Sequence, residues 1–259
     1  MSGLAVVTGA SSGIGQEYAR RLASQGTDLI AVGRRQARLD ELVTEFPEVT
    51  VRTVAADLST REGVAKVVAA IRDQPVTILV NNAGVAHYKP FVELPEEQAA
   101  ELVGVKVAAP TLLTRAVAPG MVERGAGQIV NVAGMIAFSG PASLEQVPLP
   151  RAVYTAGLAY AVALSQTLHA ELSPAGVNVQ VLCPGVVATE FHERQGMDVS
   201  AVPRMSAADV VTASLRGMEL GELVTAPGVE RDGLLQDVFT ADLAAFSAQS
   251  PELAARYRS

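Results

Sequence analysis

Residues Thr8-Gly9-Ala10-Ser11-Ser12-Gly13-Ile14-Gly15 join the apolar run Leu4-Ala5-Val6-Val7 to a helical pattern that continues to Gln25. Strand, glycine turn and helix in that order constrain this chain more than any other segment. Glycines at this spacing allow a tight turn and let the backbone approach a pyrophosphate at the positive end of a helix. Glycine also marks ordinary loops, so the flanking strand and helix carry the inference.

The same beat repeats downstream. Apolar, branched runs at Leu29–Val32, Val51–Ala55 and Ile78–Val80 alternate with helical stretches at 36–46 and 60–72. A long helical stretch at 95–118, a strand at Ile129–Val132, a helix at 151–172 and a strand at Val177–Leu182 follow. This alternation predicts one Rossmann-type doubly wound α/β domain over residues 1–259. Its sheet is mostly parallel, with six or seven strands and helices on both faces.

Five ordered motifs carry a family resemblance: the glycine turn, Asp57-Leu58, Asn81-Asn82-Ala83-Gly84, Tyr154, and Pro184-Gly185 with Thr189. Together, from residue 4 to about residue 225, they resemble the short-chain dehydrogenase/reductase family. The resemblance implies a dinucleotide cofactor. Gly9, Ser11, Ser12, Gly13, Ile14 and Gly15 would line its pyrophosphate and ribose, and Asp57 and Leu58 its adenine. Asn82, Ala83 and Gly84 would flank the ribose, while Pro184, Gly185, Val187 and Thr189 would hold the nicotinamide end. The second strand ends Val32-Gly33-Arg34-Arg35. Without an acid to bind a 2′-hydroxyl, and with two arginines suited to a 2′-phosphate, NADP is favoured over NAD. Solvated surface charge is the plainer reading of that pair, and Ser12 stands where a second basic phosphate ligand is often found.

The family's catalytic pattern is kept only in part. Its tyrosine matches Tyr154, but the lysine four residues later is Leu158, the serine is Gly134 and the asparagine is Lys106. Leucine supplies neither a charge that lowers a phenol's pKa nor a ribose hydrogen bond. A cation lost at 158 and gained at 106 suggests relocation, with the Lys106 ammonium approaching Tyr154; the other reading leaves Lys106 on a solvated helix face. Between Gly134 and Tyr154 stand 19 residues, longer than the family spacing, which marks an insertion over about 135–150. Ser139 or Ser143 is a candidate replacement for the missing hydroxyl, although serine beside proline and glycine is ordinarily a loop residue. His87 and Tyr88 are candidate alternative acids or pocket walls. By the same resemblance, residues 188–204 form a substrate lid, whose Phe191, His192 and Met197 suit a medium-sized, partly apolar substrate. Glu190, His192 and Glu193 lack a further histidine at ligating spacing, so no metal is expected.

A net charge of −7 argues against nucleic acid as a partner. A single cysteine, Cys183, fits a reducing compartment. The first strand begins at residue 4, leaving no room for a signal peptide, and no apolar run reaches the roughly 18–20 residues that span a membrane. A cytoplasmic protein with no membrane partner is expected. The segment Ala156–Leu164 is apolar around most of a helix and predicts burial on all sides. With the family's packing, that implies a homodimer or homotetramer. A helical tail at about 229–259 has no transferable motif.

Two classes of function follow. One is an NADPH-dependent reductase of a ketone or similar carbonyl, with Tyr154 and Lys106 as catalytic residues and an altered acid–base site. The other is a dinucleotide-binding sensor or scaffold without turnover, beside which stands a non-redox dehydration or cyclisation in the inherited pocket. Retention of Tyr154 and a nearby cation favours the enzyme.

Overall fold

The apolar runs of the first half become β1 (Leu4–Thr8), β2 (Asp28–Gly33), β3 (Val51–Ala55) and β4 (Val76–Asn81). The computed structural model describes residues 3–140, 150–231 and 233–258. With β5 (Gly127–Val132), β6 (Val177–Leu182) and the two-residue β9 (Val224–Thr225), these strands form one parallel sheet in the order β3-β2-β1-β4-β5-β6-β9. A separate parallel pair joins β7 (Val187–Ala188) to β8 (Met205–Ser206).

The strands read as continuous hydrophobic runs because both sheet faces are covered. Successive side chains point to opposite faces. Ala5, Val7, Leu29 and Ala31 therefore pack on α1 (Gly13–Ser24), α2 (Gln36–Glu45) and α8 (Ala207–Leu220). Val6, Ile30 and Val32 pack on α3 (Arg61–Ile71) and α5 (Ala109–Arg124). Local signals set the helix ends: the Thr60 hydroxyl accepts from Gly63 N at 3.0 Å to open α3, and Gly125, at φ 65°, closes α5.

The helical stretch predicted at 95–118 runs further and contains an irregularity. α4 (Glu96–Val103) passes through a π-helical segment, Gly104–Ala108, into α5. The whole run, Glu96–Arg124, is long and apolar enough to cross a membrane, which corrects the sequence expectation that no segment reaches that length. In the fold its Ala109, Leu113, Val117 and Met121 belong to the core against the sheet.

The strand order reverses between β1 and β4, which opens a crevice at the carboxyl ends of those strands. Buried Thr8 stitches the two sides together. Its hydroxyl donates to Val80 O at 3.2 Å and accepts from the amides of Asn82 and Ala83 at 2.9 and 3.0 Å. Behind them, Asn131 on β5 accepts from Asn81 Nδ2 at 2.9 Å and donates to Ser165 Oγ at 2.9 Å on α6 (Ala152–Leu172). Asn131→Ala removes one hydrogen bond each from Asn81 Nδ2, which keeps Thr114 Oγ1, and from Ser165 Oγ, which keeps Ala161 O. We expect it to cost about 2 kcal/mol in urea unfolding, because two buried hydrogen bonds of about 1 kcal/mol each are lost.

Helix α6 is buried along one stripe through Tyr154, Gly157, Leu158, Ala161, Val162 and Ser165, whereas Ala156, Ala163, Thr167 and Ala170 are exposed in the single chain. It is apolar on both sides but not covered on both. The chain forms two compact units, Met1–Pro227 and Gly228–Ser259. The second contains α9 (Gly233–Ser247) and a short 3₁₀ turn at Ala255–Tyr257.

Candidate active site

The crevice widens into a cavity of about 690 Å³ lined from both sides of the strand reversal. At one end is the glycine turn. Gly9 and Gly13 adopt φ values of 68° and 55°, in the left-handed region that favours glycine. A Cβ at Gly9 would lie 2.6 Å from Asn82 Nδ2, so the turn admits no side chain. Helix α1 begins at Gly13 with no acid in its first turn, and its first residues, Gly13 and Ile14, line the cavity end.

An anion already rests on this end. Arg35 Nη2 donates to Glu190 Oε1 at 2.6 Å and to Ser11 O at 2.9 Å. The Arg35 hydrogen bond, with help from Ser12 and Arg194, holds the Glu190 carboxyl below the usual carboxylate range. A carboxylate of the chain itself thus occupies groups suited to phosphate oxygens, and the residues fit the dinucleotide that the motifs imply. Arg34 lies 3.5 Å from Glu101 Oε1. Burial raises the Asp57 pKa, but the Ser59 amide and hydroxyl and the Arg34 charge outweigh it, so its net shift is downward.

Of the proposed cofactor ligands, Gly9, Ser11, Ser12, Gly13, Ile14, Arg34, Arg35, Asp57, Leu58, Asn82, Ala83, Gly84, Pro184, Gly185, Val187 and Thr189 all line the cavity. Gly15 does not. It lies behind the turn, where a Cβ would overlap Gly9 O and Asn82 Nδ2, and its role is close packing.

At the other end stand Tyr154, Tyr88 and Lys106. The π-helical segment turns Lys106 inward, leaving it 8% exposed. Its side chain runs between two glycines: a Cβ on Gly157 would lie 2.9 Å from Lys106 Cβ, and one on Gly84 would lie 2.5 Å from Nζ. Burial lowers the ammonium's pKa to about 8. The solvated-face reading is therefore excluded. The approach to Tyr154 is not seen either. Lys106 and Tyr154 share the cavity, but among the described residues no hydrogen bond joins them, and the Tyr154 ring instead meets that of Tyr88 edge to face, with centroids 5.6 Å apart. Burial raises the Tyr154 pKa, and Tyr88 raises it further. Leu158, 1% exposed, fills the vacated lysine position.

The other candidates are engaged. His87 Nε2 lies 2.7 Å from Glu101 Oε2. Ser139 accepts from Arg151 Nη2 at 2.9 Å and donates to Ile136 O at 2.8 Å, so it supports Arg151. Ser143 lies outside the described residues. The backbone at Gly134 is extended, and a Cβ there would meet Leu158 Cδ1 and Pro184 O at 3.6 Å, ordinary contact distance. In the expected lid, only the short helix α7 (Phe191–Arg194) is regular between β7 and β8. Burial lowers the His192 pKa, and Arg204 adds to the effect.

Two participants escaped the sequence reading. Glu190 belongs to no motif as the partner of Arg35. Arg151, 7% exposed, lines the cavity just before α6. Its one legible signal was a cation at a helix N-terminus, where the dipole disfavours it without a specific partner.

Residues 3–199 match the short chain dehydrogenase family. The chain belongs to that family. Among its relatives, the very-long-chain 3-oxoacyl-CoA reductase of Bos taurus is 35% identical over 194 residues, 72% of this chain and 60% of that protein. The human inactive hydroxysteroid dehydrogenase-like protein 1 is 36% identical over 194 residues, 72% of this chain and 56% of that one. The chain thus spans about three fifths of the length of such curated relatives. Two solved structures cover it more fully. A short-chain dehydrogenase from Sphingobium yanoikuyae in complex with NADPH is 35% identical with a TM-score of 0.91, over 98% of this chain and 100% of that one. The bulky-bulky ketone specific alcohol dehydrogenase from Comamonas testosteroni is 31% identical with a TM-score of 0.88, over 99% of both chains.

Proposed function

We propose that this short chain dehydrogenase uses NADPH to reduce a ketone or similar carbonyl of a medium-sized, partly apolar substrate. The observation that carries the reading is one cavity with a glycine cradle at one end and a pair of phenols packed edge to face at the other. The relative solved with NADPH and the ketone-specific dehydrogenase support it. When bound, the dinucleotide would supply hydride to the carbonyl carbon. The chain's own part is to hold the carbonyl oxygen at the Tyr154–Tyr88 pair and to exclude water with the apolar walls of Val85, Met135 and Phe191. Lys106 brings positive charge to Gly84, on the segment that flanks the ribose in the family. General acid help is worth about 10²–10⁴-fold, so a reduced catalytic set still leaves a working site.

Preference for NADPH over NADH rests on Arg34 and Arg35 after β2. NADPH consumption dependent on an added ketone tests the activity. In that assay, Arg35→Ala should lower kcat/KM for NADPH about tenfold and leave NADH nearly unchanged, since one charge-assisted hydrogen bond is worth about 1.5–3 kcal/mol. Equal losses with both cofactors would place Arg35 outside the 2′-phosphate site.

A binding protein without turnover is the second reading. Leu158 at the lysine position and Gly134 at the serine position favour it, and so does the relative described as inactive. Tight NADPH binding with no consumption on a broad ketone and quinone panel is its signature.

A further inference from the structure

The two arginines that follow β2 are not equally free to take an anion. Arg34 Nη1 lies 3.5 Å from Glu101 Oε1, and the other oxygen of that carboxylate faces His87. Arg35 is held more tightly. Its Nη2 donates to Glu190 Oε1 at 2.6 Å and to Ser11 O at 2.9 Å, and lies 3.4 Å from Ser11 Oγ. An isolated surface ion pair is worth little. This one is short and charge-assisted, its side chains are 29% and 36% exposed, and the glycine turn grips the same guanidinium nitrogen. Glu190 comes from far along the chain, just after Thr189 and at the head of α7. The pair therefore ties the start of the lid segment to an arginine suited to a 2′-phosphate. A second partner is already in place, since Arg194 Nη1, one turn on, lies 3.5 Å from the same Glu190 oxygen.

We propose that Glu190 competes with the cofactor's 2′-phosphate for Arg35. A 2′-phosphorylated nucleotide moves the carboxylate onto Arg194 and releases the entry to α7, whereas a nucleotide with a 2′-hydroxyl leaves it on Arg35. The inference rests on the NADPH reading above and names the residue that limits that preference. What is contested is charge. All three contacts of Arg35 use Nη2, so donors remain for a second oxyanion. One positive charge, however, cannot neutralise both a carboxylate and a phosphate of about −1.5 to −2, and two anions on one guanidinium repel each other. Glu190 yields because Arg194 offers it a partner on its own helix. A ligand shifts such an equilibrium only by binding its two states differently. The 2′-phosphate does so, because it needs the Arg35 charge, and a 2′-hydroxyl does not. Apparent affinity for the phosphorylated nucleotide is then lowered by the fraction of molecules in which Arg35 is free.

The test reads binding, not turnover. Calorimetry on the full chain compares 2′,5′-ADP, which carries the 2′-phosphate, with 5′-AMP, which lacks it. Glu190→Gln should bind 2′,5′-ADP about tenfold more tightly and alter 5′-AMP binding by less than about twofold. In an Arg35→Ala background the same substitution should gain nothing, because the pair is then already broken. Arg194→Met should weaken 2′,5′-ADP binding about threefold, by removing the carboxylate's second partner, and should have no effect once Glu190 is glutamine. Movement of the lid segment is read by ¹⁹F NMR of the chain carrying fluorophenylalanine. The Phe191 signal, assigned by its loss in Phe191→Leu, should shift on adding 2′,5′-ADP toward its position in free Glu190→Gln, and stay in place with 5′-AMP. An equal gain for both nucleotides, or a gain that survives Arg35→Ala, overturns the proposal. Weaker binding of 2′,5′-ADP by Glu190→Gln also overturns it, since the carboxylate would then be part of the phosphate site. If the unchanged chain prefers 2′,5′-ADP and Glu190→Gln does not widen the preference, the NADPH reading stands and the competition fails. If the preference widens as expected but no carbonyl is reduced, the reductase reading fails and the competition stands.

Discussion

Gly15→Ala is expected to weaken NADPH binding by about 100-fold, because the glycine turn must open before the backbone can approach a pyrophosphate. The physical cause is local. The added methyl would overlap Gly9 O, a backbone atom, and Asn82 Nδ2, which donates to Thr8 O at 3.0 Å. Neither can move freely, since Thr8 also holds the amides of Asn82 and Ala83. Overpacking of this kind costs about 1–3 kcal/mol, so the melting temperature should fall by roughly 3–10 °C. Gly185→Ala is the stability control, as a Cβ there meets no atom within 4 Å. NADPH fluorescence and thermal melts read both effects. Unchanged binding in a folded Gly15→Ala protein would show that the turn does not hold the cofactor.

Lys106→Met should move stability and activity in opposite directions. The ammonium's pKa is lowered from 10.5 to about 8 by burial, so folding disfavours its charged form. The sign follows directly. Below pH 8 the full penalty is present, and it is relieved as the pH rises from about 8 to 10.5. At about 1.4 kcal/mol per unit, the methionine variant should be roughly 3 kcal/mol more stable at pH 7. That gain should vanish by the top of the window. A thioether of similar length fits the passage between Gly84 and Gly157 without a charge to desolvate. Loss of the cation beside Gly84 should weaken NADPH binding about tenfold or more. Urea unfolding across pH 6–10 and NADPH titration check the pair. A destabilised Lys106→Met at neutral pH would mean that unrecognised partners compensate the charge. Such a group, kept at a cost to the fold, is the mark of a functional site.

Much of this was legible in the chain. Gly9 and Gly13 declared their turn because few residues tolerate a positive φ, and the branched runs at 29–32 and 177–182 declared strands covered on both faces. The departures at Gly134, Leu158 and Lys106 could be read because the flanking motifs fixed their positions. Gly157 and Gly84 were visible as letters, but not as the two walls of a lysine's path. Gly15 stood with the ligands by motif and lies behind them in space.

The sequence by itself determined the fold, the family and the glycine turn after β1, because each rests on local backbone conformation and on periodicities of two and 3.6 residues. Tertiary structure alone decided which side chains meet across the cavity. Tyr88 and Tyr154 are 66 positions apart, and Arg35 and Glu190 are 155 apart. The parallel crossovers bring these pairs to one rim, and the π-helical segment turns Lys106 inward toward Gly84. Pairings of that range depend on how whole elements pack, and no local propensity encodes them.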